Sequence, residues 1–156
     1  MSRNERSAAP EICNCTALRA AARNVTKMYD EALAPLALGL NQYSILARLN
    51  RIGPRTIREL AALLVMDRST LGHLLRPLEK RGFVKLTIAK EDRRNRVLVL
   101  TVAGKAMVAR AEPFWNEAQA RFERSFGIDA ALDLRKMLKR AAMADLQSDS
   151  GAVPGL

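Results

Sequence analysis

The sequence has few metal-binding side chains. It contains one histidine, His73, and two cysteines, Cys13 and Cys15, among 156 residues. Because His73 lies far from both cysteines along the chain, the three side chains cannot complete the tetrahedral ligand set of a structural zinc site. Two cysteines are also too few for the disulfide framework of a small secreted scaffold. We therefore expect a fold without a metal ion or another cofactor.

The side-chain sets of common enzymes are missing as well. The sequence has no glycine-rich phosphate-binding loop and no Ser/His/Asp set, and it offers no histidine apart from His73 as a general base. We therefore expect no enzymatic activity. Aromatic residues make up only 4% of the chain. This scarcity argues against the exposed stacking residues that many RNA-binding modules need.

Long apolar runs are absent. The longest stretch without a charge, residues 32–47, is interrupted by Pro35, Gly39, Asn41 and Gln42, and is too short to cross a bilayer as a helix. The first ten residues, MSRNERSAAP, show no apolar segment followed by a cleavage site. We therefore expect a cytoplasmic protein without a membrane partner.

Acidic residues are outnumbered, and the imbalance is local. The chain has 26 Lys and Arg against 16 Asp and Glu, a net charge of +10 and a pI near 10.4. Residues 51–96 hold 12 of the basic and 5 of the acidic residues, which is +7 and leaves +3 for the other 110 residues. Such a basic segment favours a polyanion partner, because lysines and arginines placed on phosphates release condensed counterions. The alternative is a solvated surface that keeps the protein soluble.

Hydrophobic periodicity predicts four helices before residue 82. The first begins at Asn14 and ends near Pro35, and the second carries Ile45, Leu46, Leu49 and Ile52 and ends at Gly53. The third opens with a capping box formed by Thr56 and Glu59 and runs to about Leu64. The fourth is capped by Asp67 and ends at Gly82.

The fourth helix has two different faces. Leu71, Leu74, Leu75 and Leu78 follow the helical period and are predicted to lie in the core. The opposite face is basic and rich in hydrogen-bonding groups: Arg68, Ser69, Thr70, Gly72, His73, Arg76 and Lys80. Pro77 lies within the helix and should bend its last turn.

A hairpin and two further helices follow. Residues 83–89 and 97–100 are predicted strands, and the seven residues 90–96 between them form a charged tip. Thr101 can cap the next helix, which must kink or restart at Pro113. Its large aromatic residues are interpreted as packing groups. A last helix runs from about residue 129 to residue 146, and a polar tail follows.

Six motifs carry a family resemblance. In chain order they are Asn41-Gln42-Tyr43-Ser44-Ile45-Leu46, Thr56-Ile57-Arg58-Glu59-Leu60-Ala61, Met66-Asp67-Arg68-Ser69-Thr70-Leu71, Pro77-Leu78-Glu79-Lys80-Arg81-Gly82, Asp92-Arg93-Arg94 and Leu100-Thr101-Val102-Ala103-Gly104. The series resembles the multiple-antibiotic-resistance regulator (MarR) family. The resemblance implies a mainly α, winged helix-turn-helix fold with a small β-hairpin wing. It also implies a dimer whose interface is formed by the N- and C-terminal helices.

The resemblance divides the chain into five regions. Residues 1–13 are expected to be a flexible N-terminal segment, 14–38 a dimerisation helix and 39–101 the winged helix-turn-helix DNA-binding region. Residues 102–146 are expected to form further dimerisation helices, and 147–156 a flexible tail.

The resemblance also implies a function and its residues. In this family the fourth helix enters a major groove of double-stranded DNA and the wing arginines reach a minor groove. The candidate DNA-binding residues are Arg68, Ser69, Thr70, His73, Arg76, Arg93 and Arg94. Each arginine has the alternative of being a solvated surface charge, and His73 that of a neutral surface or core residue. The implied function is a repressor that binds a palindromic operator as a homodimer. A small, often aromatic or phenolic effector would release it.

Two alternatives to that reading stay open. Cys15-Thr16-Ala17-Leu18, with Tyr29 further along, resembles the organic-hydroperoxide-sensing branch of the family. Arg19, one turn after Cys15, is placed to favour a reactive thiolate, and Cys13 is a candidate resolving thiol. Two tyrosine positions of that branch are Arg19 and Leu40 here, and a cysteine without a sensing role is the simpler interpretation. The second alternative is a basic structural or RNA-binding protein without sequence preference.

Overall fold

The computed structural model describes residues 13–88 and 96–144. Helices dominate this part of the chain and one antiparallel hairpin interrupts them, which confirms the predicted fold class. The elements are α1 (Asn14–Leu33), α2 (Leu40–Ile52), α3 (Ile57–Leu64), α4 (Arg68–Lys80), β1 (Val84–Ile88), β2 (Arg96–Leu100), α5 (Val102–Phe126) and α6 (Ile128–Met143). A short 3-10 turn, Ala34–Leu36, follows α1. Of the described residues, those up to Ala118 belong to one compact unit and those from Gln119 onward to a second.

The helix ends follow the capping residues that the sequence predicts. Thr56 accepts a hydrogen bond from the backbone amide of Glu59 at 3.2 Å, and the Glu59 carboxylate accepts one from the Thr56 amide at 2.8 Å. This reciprocal pair starts α3. Asp67 caps α4, and Gly82, at φ +71°, follows the end of that helix in a conformation that favours glycine.

The hairpin is antiparallel, with Val84 opposite Leu100 and Ile88 opposite Arg96. Arg55, between α2 and α3, adds a bridge to β2: its amide donates to the Leu98 carbonyl at 3.2 Å, and the Leu98 amide donates back at 2.7 Å. The bridge ties the start of the helix-turn-helix to the base of the hairpin.

Two predicted strand boundaries are wrong by one residue. The first strand was expected to begin at residue 83, but the Phe83 amide donates to the Leu78 carbonyl at 3.0 Å and so completes the end of α4. Arg96 was assigned to the tip and instead begins β2. Backbone pairing with Ile88 extends β2 to one residue before its first apolar side chain, Val97. Residues 89–95 lie outside the described part of the chain.

Of the two alternatives predicted at Pro113, a kink or a restart, the restart does not occur, because α5 runs through that residue as one helix. Thr101 caps this helix as expected: its hydroxyl oxygen accepts a hydrogen bond from the Gly104 amide at 3.0 Å. Ala111 and Ala118 are buried on either side of Pro113. Their packing on both sides outweighs the single backbone hydrogen bond that a proline removes.

The core of the first unit fixes α4 in place. Leu71, Leu75 and Leu78 are buried, and Leu74 is partly buried against the same core. They pack with buried residues from α2, α3, the hairpin and the first half of α5, among them Ile45, Leu46, Leu49, Leu60, Leu98, Met107 and Val108. The outward face of α4 is therefore held by a fully packed inner face.

Gly104 brings α5 close to the strands. A Cβ at this position would overlap the Phe83 carbonyl oxygen and would lie 2.6 Å from a methyl group of Leu100. Only glycine fits there without a shift of backbone atoms. Among the described residues, no helix is both long and apolar enough to cross a membrane.

Candidate nucleic-acid interface

The N-terminus of α4 is organised by one carboxylate. Asp67 Oδ1 accepts a hydrogen bond from the Thr70 amide at 2.8 Å, and Asp67 Oδ2 accepts one from the Thr70 hydroxyl at 2.6 Å. The Thr70 hydroxyl, followed by the Thr70 amide, lowers the pKa of Asp67 below its usual value. The carboxylate is therefore ionised at neutral pH and keeps the first turn closed.

This cap changes what Thr70 can offer to DNA. Its hydroxyl proton is already donated to Asp67, so the oxygen lone pairs and the methyl group remain for an external partner. The sequence pattern identified Asp67 as a cap but gave no sign that the Thr70 side chain was engaged. Of the candidate residues on α4, Thr70 is thus the one with a structural role inside the protein.

The five candidate residues on α4 share one exposed surface. Arg68, Ser69, Thr70, His73 and Arg76 are all exposed. With roughly 3.6 residues per turn, Ser69, His73 and Arg76 lie along the middle of this surface, and Arg68 and Thr70 lie at its edges. Gly72 lies between these residues on the same surface. We call this surface the outer face of α4. It is the face opposite the buried leucines.

The charges on the outer face are available to a ligand. Within residues 13–88 and 96–144, neither Arg68 nor Arg76 forms an ion pair with a carboxylate. Guanidinium groups that project from a packed helix and have no carboxylate partner among the described residues suit phosphates and guanine edges. The geometry therefore fits a DNA major groove, into which a helix of this kind can enter.

The wing is described only at its base. Arg93 and Arg94, the two candidate minor-groove residues, lie outside the described residues. The strands that lead to them carry exposed basic side chains, Lys85 on β1 and Arg96 on β2. Their role thus stays a prediction from the sequence.

Arg58 is an exposed basic residue that the sequence does not mark as a candidate for DNA binding. This residue is exposed in the first turn of α3, next to the Thr56 capping box. Arg58 belongs to the basic segment 51–96, but no pattern in the sequence sets it apart from the other basic residues there. The start of a helix favours anions through its free amide groups, so Arg58 can add a phosphate contact there.

The two cysteines lie at the start of α1. Cys13 is the N-cap residue, Cys15 is in the first turn, and both are exposed as free thiols. The side chain of Thr16, and then its backbone amide, lower the pKa of the Cys13 thiol. The reactive role of Cys15 and the resolving role of Cys13 stay predictions, to which the structure adds that the contacts with Thr16 favour the thiolate of Cys13. Tyr29 is buried, with its ring centroid 6.3 Å from that of Trp115.

A cavity of about 360 Å³ opens beside α2. Its lining consists of Tyr43, Ser44, Ala47, Arg48 and Arg51 from α2, Leu64 from α3 and Trp115 from α5. The Tyr43 and Trp115 ring centroids are 6.2 Å apart. Burial, and then the negative charge of Glu112, raise the pKa of Tyr43, so its hydroxyl is a neutral hydrogen-bond donor at physiological pH. The cavity thus combines aromatic walls with two guanidinium groups.

Comparison with known proteins identifies the same architecture. A MarR family model matches residues 38–95. The HTH-type transcriptional regulator SarZ of Staphylococcus saprophyticus is 30% identical over 126 residues, which are 80% of this chain and 84% of that protein. The organic hydroperoxide resistance transcriptional regulator of Bacillus subtilis is 29% identical over 97 residues, 62% of this chain and 66% of that protein.

Solved structures agree with these matches. The transcriptional repressor CouR bound to a 23-mer DNA duplex has a TM-score of 0.75 and 29% identity, covering 91% of this chain and 98% of that one. CouR from Rhodococcus jostii RHA1 bound to p-coumaroyl-CoA has a TM-score of 0.74 and 25% identity, and the match covers 88% of this chain and 96% of that one. The chain belongs to the MarR family, and it is a DNA-binding transcriptional regulator rather than an enzyme.

Proposed function

We propose that this protein is a repressor that binds a palindromic operator as a homodimer and is released by a small aromatic effector. The outer face of α4 is the observation that carries the proposal, because its exposed arginines project from a helix that is packed against the core and they lack carboxylate partners among the described residues. Ser69, Thr70, His73 and Arg76 would contact base edges or phosphates in the major groove. CouR, which is similar over most of this chain, is a repressor that has been solved on a DNA duplex.

The homodimer is supported by exposed apolar side chains near both ends of the described chain. They include Leu18 on α1, Phe126 at the end of α5, and Ile128, Leu132, Met137, Leu138 and Met143 on α6. An isolated exposed apolar side chain is ordinary, but several of them on one helix, as on α6, favour a partner surface. A second copy related by a two-fold axis would cover them and would match a palindromic site. Light scattering at micromolar concentration should give twice the chain mass of 17.3 kDa. A monomer that still binds a palindrome tightly would contradict this part of the proposal.

The decisive experiment is selection of bound duplexes from random double-stranded DNA. We expect enrichment of a short inverted repeat, and we expect this repeat to compete far better than random DNA or RNA of equal length. Equal competition by random sequences would instead support the basic, non-specific nucleic-acid-binding alternative. Transcription from a promoter that carries the selected site then distinguishes a repressor from an activator.

Replacing Arg93 or Arg94 by alanine should weaken binding to the selected operator and to random DNA alike. The minor groove attracts arginine mainly by its negative potential, so the loss is electrostatic. The magnitude of the slope of log affinity against log salt concentration should fall by roughly one unit for each phosphate contact removed. A symmetric dimer carries two copies of each arginine, so the change per dimer would double. Titrations between low and moderate salt measure this slope. An unchanged slope and affinity in both variants would exclude the wing from the interface.

The cavity beside α2 is the candidate effector site. Its volume suits a small aromatic molecule, and Arg48 and Arg51 suit a ligand with a carboxylate or phosphate group. CouR has been solved with p-coumaroyl-CoA, an aromatic thioester whose carrier group bears phosphates. We therefore propose an anionic aromatic effector.

An effector found by screening aromatic acids should lose affinity when Arg48 is replaced by glutamine or Trp115 by leucine. The expected loss for Arg48→Gln is about tenfold or more, since a charge-assisted hydrogen bond is removed from a partly buried site. Calorimetry measures effector affinity, and operator affinity without effector serves as the control. Retention of full effector affinity by both variants would place the effector elsewhere.

The second candidate function is thiol-based sensing. It is favoured by the exposed cysteines and by the lowered pKa of Cys13, and one relative is an organic hydroperoxide resistance regulator. Peroxide would oxidise a thiolate to sulfenic acid, and a second thiol would then form a disulfide and release water. Operator binding before and after organic hydroperoxide, in the parent, Cys15→Ser and Cys13→Ser, tests this. A parent that stays fully bound, or serine variants released as readily as the parent, would exclude the switch.

A further inference from the structure

Arg81 joins the end of α4 to the connection between α1 and α2. Its Nη1 donates to the Ala37 carbonyl at 2.6 Å, and its Nη2 donates to the Leu36 carbonyl at 2.9 Å. The guanidinium carbon also lies 4.6 Å from the centre of the Phe83 ring. Two hydrogen bonds and one aromatic face therefore fix the guanidinium in a single orientation.

The connection needs such a partner. The 3-10 turn at Ala34–Leu36 ends at Ala37, which adopts a left-handed conformation at φ 50°. Carbonyl groups at the end of a helical turn lack partners within the turn. Arg81 supplies charged donors to two of them from a position 44 and 45 residues further along the chain.

A second contact holds the other end of the same connection. Asp30 on α1 accepts a hydrogen bond from the Leu40 amide at 2.6 Å, at the start of α2. Residues 36–40 are thus held by a carboxylate from the first helix and by a guanidinium from the end of α4. These two polar contacts join α1, the connection and the end of α4.

We propose that Arg81 is a positioning residue for operator binding: it sets the distance at which a dimer holds its two copies of α4. The inference rests on the proposed homodimer and palindromic operator. Successive major grooves on one side of DNA are roughly 34 Å apart, so each α4 must keep a fixed offset from the dimer interface. If α1 contributes to that interface, the contacts of Asp30 and Arg81 with residues 36–40 determine the distance of α4 from the interface.

The test uses Arg81→Met, Arg81→Lys and the control Lys80→Met. Arg81→Met keeps an apolar stem and loses every donor, and Arg81→Lys keeps the charge but loses the two-pronged geometry. Lys80→Met removes the neighbouring charge without touching residues 36–37. Binding is measured on duplexes whose half-sites are moved by one or two base pairs in either direction, and on a random duplex.

We expect both Arg81 variants to lose about tenfold in affinity at the selected spacing, as the loss of charge-assisted hydrogen bonds predicts. Their preference among spacings should flatten. On the random duplex, Arg81→Met should match Lys80→Met, because each loses one positive charge, and Arg81→Lys, which keeps the charge, should match the parent. Amide hydrogen exchange of residues 34–40 in the free protein should become faster in Arg81→Met. Exchange in Lys80→Met should stay at the parent rate.

Several outcomes would overturn the proposal. One is a spacing preference in both Arg81 variants that equals that of the parent. Another is an equal loss of affinity of these variants for every duplex, which would make Arg81 a phosphate contact. If Arg81→Met does not fold, Arg81→Lys alone decides by the same spacing series. If the parent protein shows no spacing preference, the result contradicts the palindromic dimer and not the role of Arg81. Amide exchange then tests the Arg81 contact separately: unchanged exchange of residues 34–40 in Arg81→Met would contradict it.

Discussion

Arg76→Ala is expected to reduce affinity for the selected operator by about 1 to 3 kcal/mol while leaving random DNA much less affected. Arg76 lies in the middle of the outer face of α4, and it has no carboxylate partner among the described residues. Leu75 and Leu78, which flank it on the inner side, are buried. The guanidinium is thus presented by a rigid support, which is the condition for a two-pronged contact to a guanine edge.

Arg76→Lys and Arg68→Ala are the matched controls. Lysine keeps the charge but cannot reproduce a two-pronged contact, so Arg76→Lys should also lose discrimination between operator and random DNA. Arg68 lies at the edge of the outer face, and its loss should weaken all duplexes to a similar degree. Fluorescence anisotropy on both duplexes at one fixed salt concentration gives the comparison. Equal losses of Arg76→Ala on operator and random DNA would reassign Arg76 to the phosphate backbone.

The fold was largely predictable because its boundaries have local causes. The Thr56 and Glu59 capping box, the Asp67 cap and Gly82 act within a few residues of the helix ends that they define. The buried face of α4 followed from the spacing of its leucines. The choice between a kink and a restart at Pro113 could not be made from the sequence, because it depends on the packing of the surrounding helix, which no local pattern shows.

The candidate site was predictable in composition but not in its contacts. The basic outer face of α4 could be inferred from periodicity, since exposure is the complement of a buried stripe. The bond between the Thr70 hydroxyl and Asp67 depends on a side-chain rotamer, and the bonds from Arg81 to residues 36–37 join positions more than 40 apart. Neither leaves a repeating pattern in the sequence. The cavity likewise combines residues from three helices.

Gly72→Ala should stabilise the protein and weaken operator binding at the same time. Glycine inside a helix costs about 0.5 to 1 kcal/mol relative to alanine, because it loses more backbone freedom on folding. A Cβ at Gly72 would meet nothing within 4 Å, so the fold itself gives no reason for a glycine there. The substitution should therefore raise the free energy of unfolding by about that amount.

The expected loss of binding follows from where the new methyl group would lie. Gly72 is three residues after Ser69 and four before Arg76, so its Cβ would project from the outer face between these side chains. We infer that the missing side chain lets the α4 backbone approach the DNA closely, and we expect Gly72→Ala to lose about tenfold on the operator, the effect of roughly 1.4 kcal/mol. Thermal unfolding at fixed protein concentration and operator titration provide the two measurements. A stabilised variant with unchanged operator affinity would show that α4 does not approach DNA at this position, because a methyl group buried against a base or sugar cannot be accommodated without a change in binding.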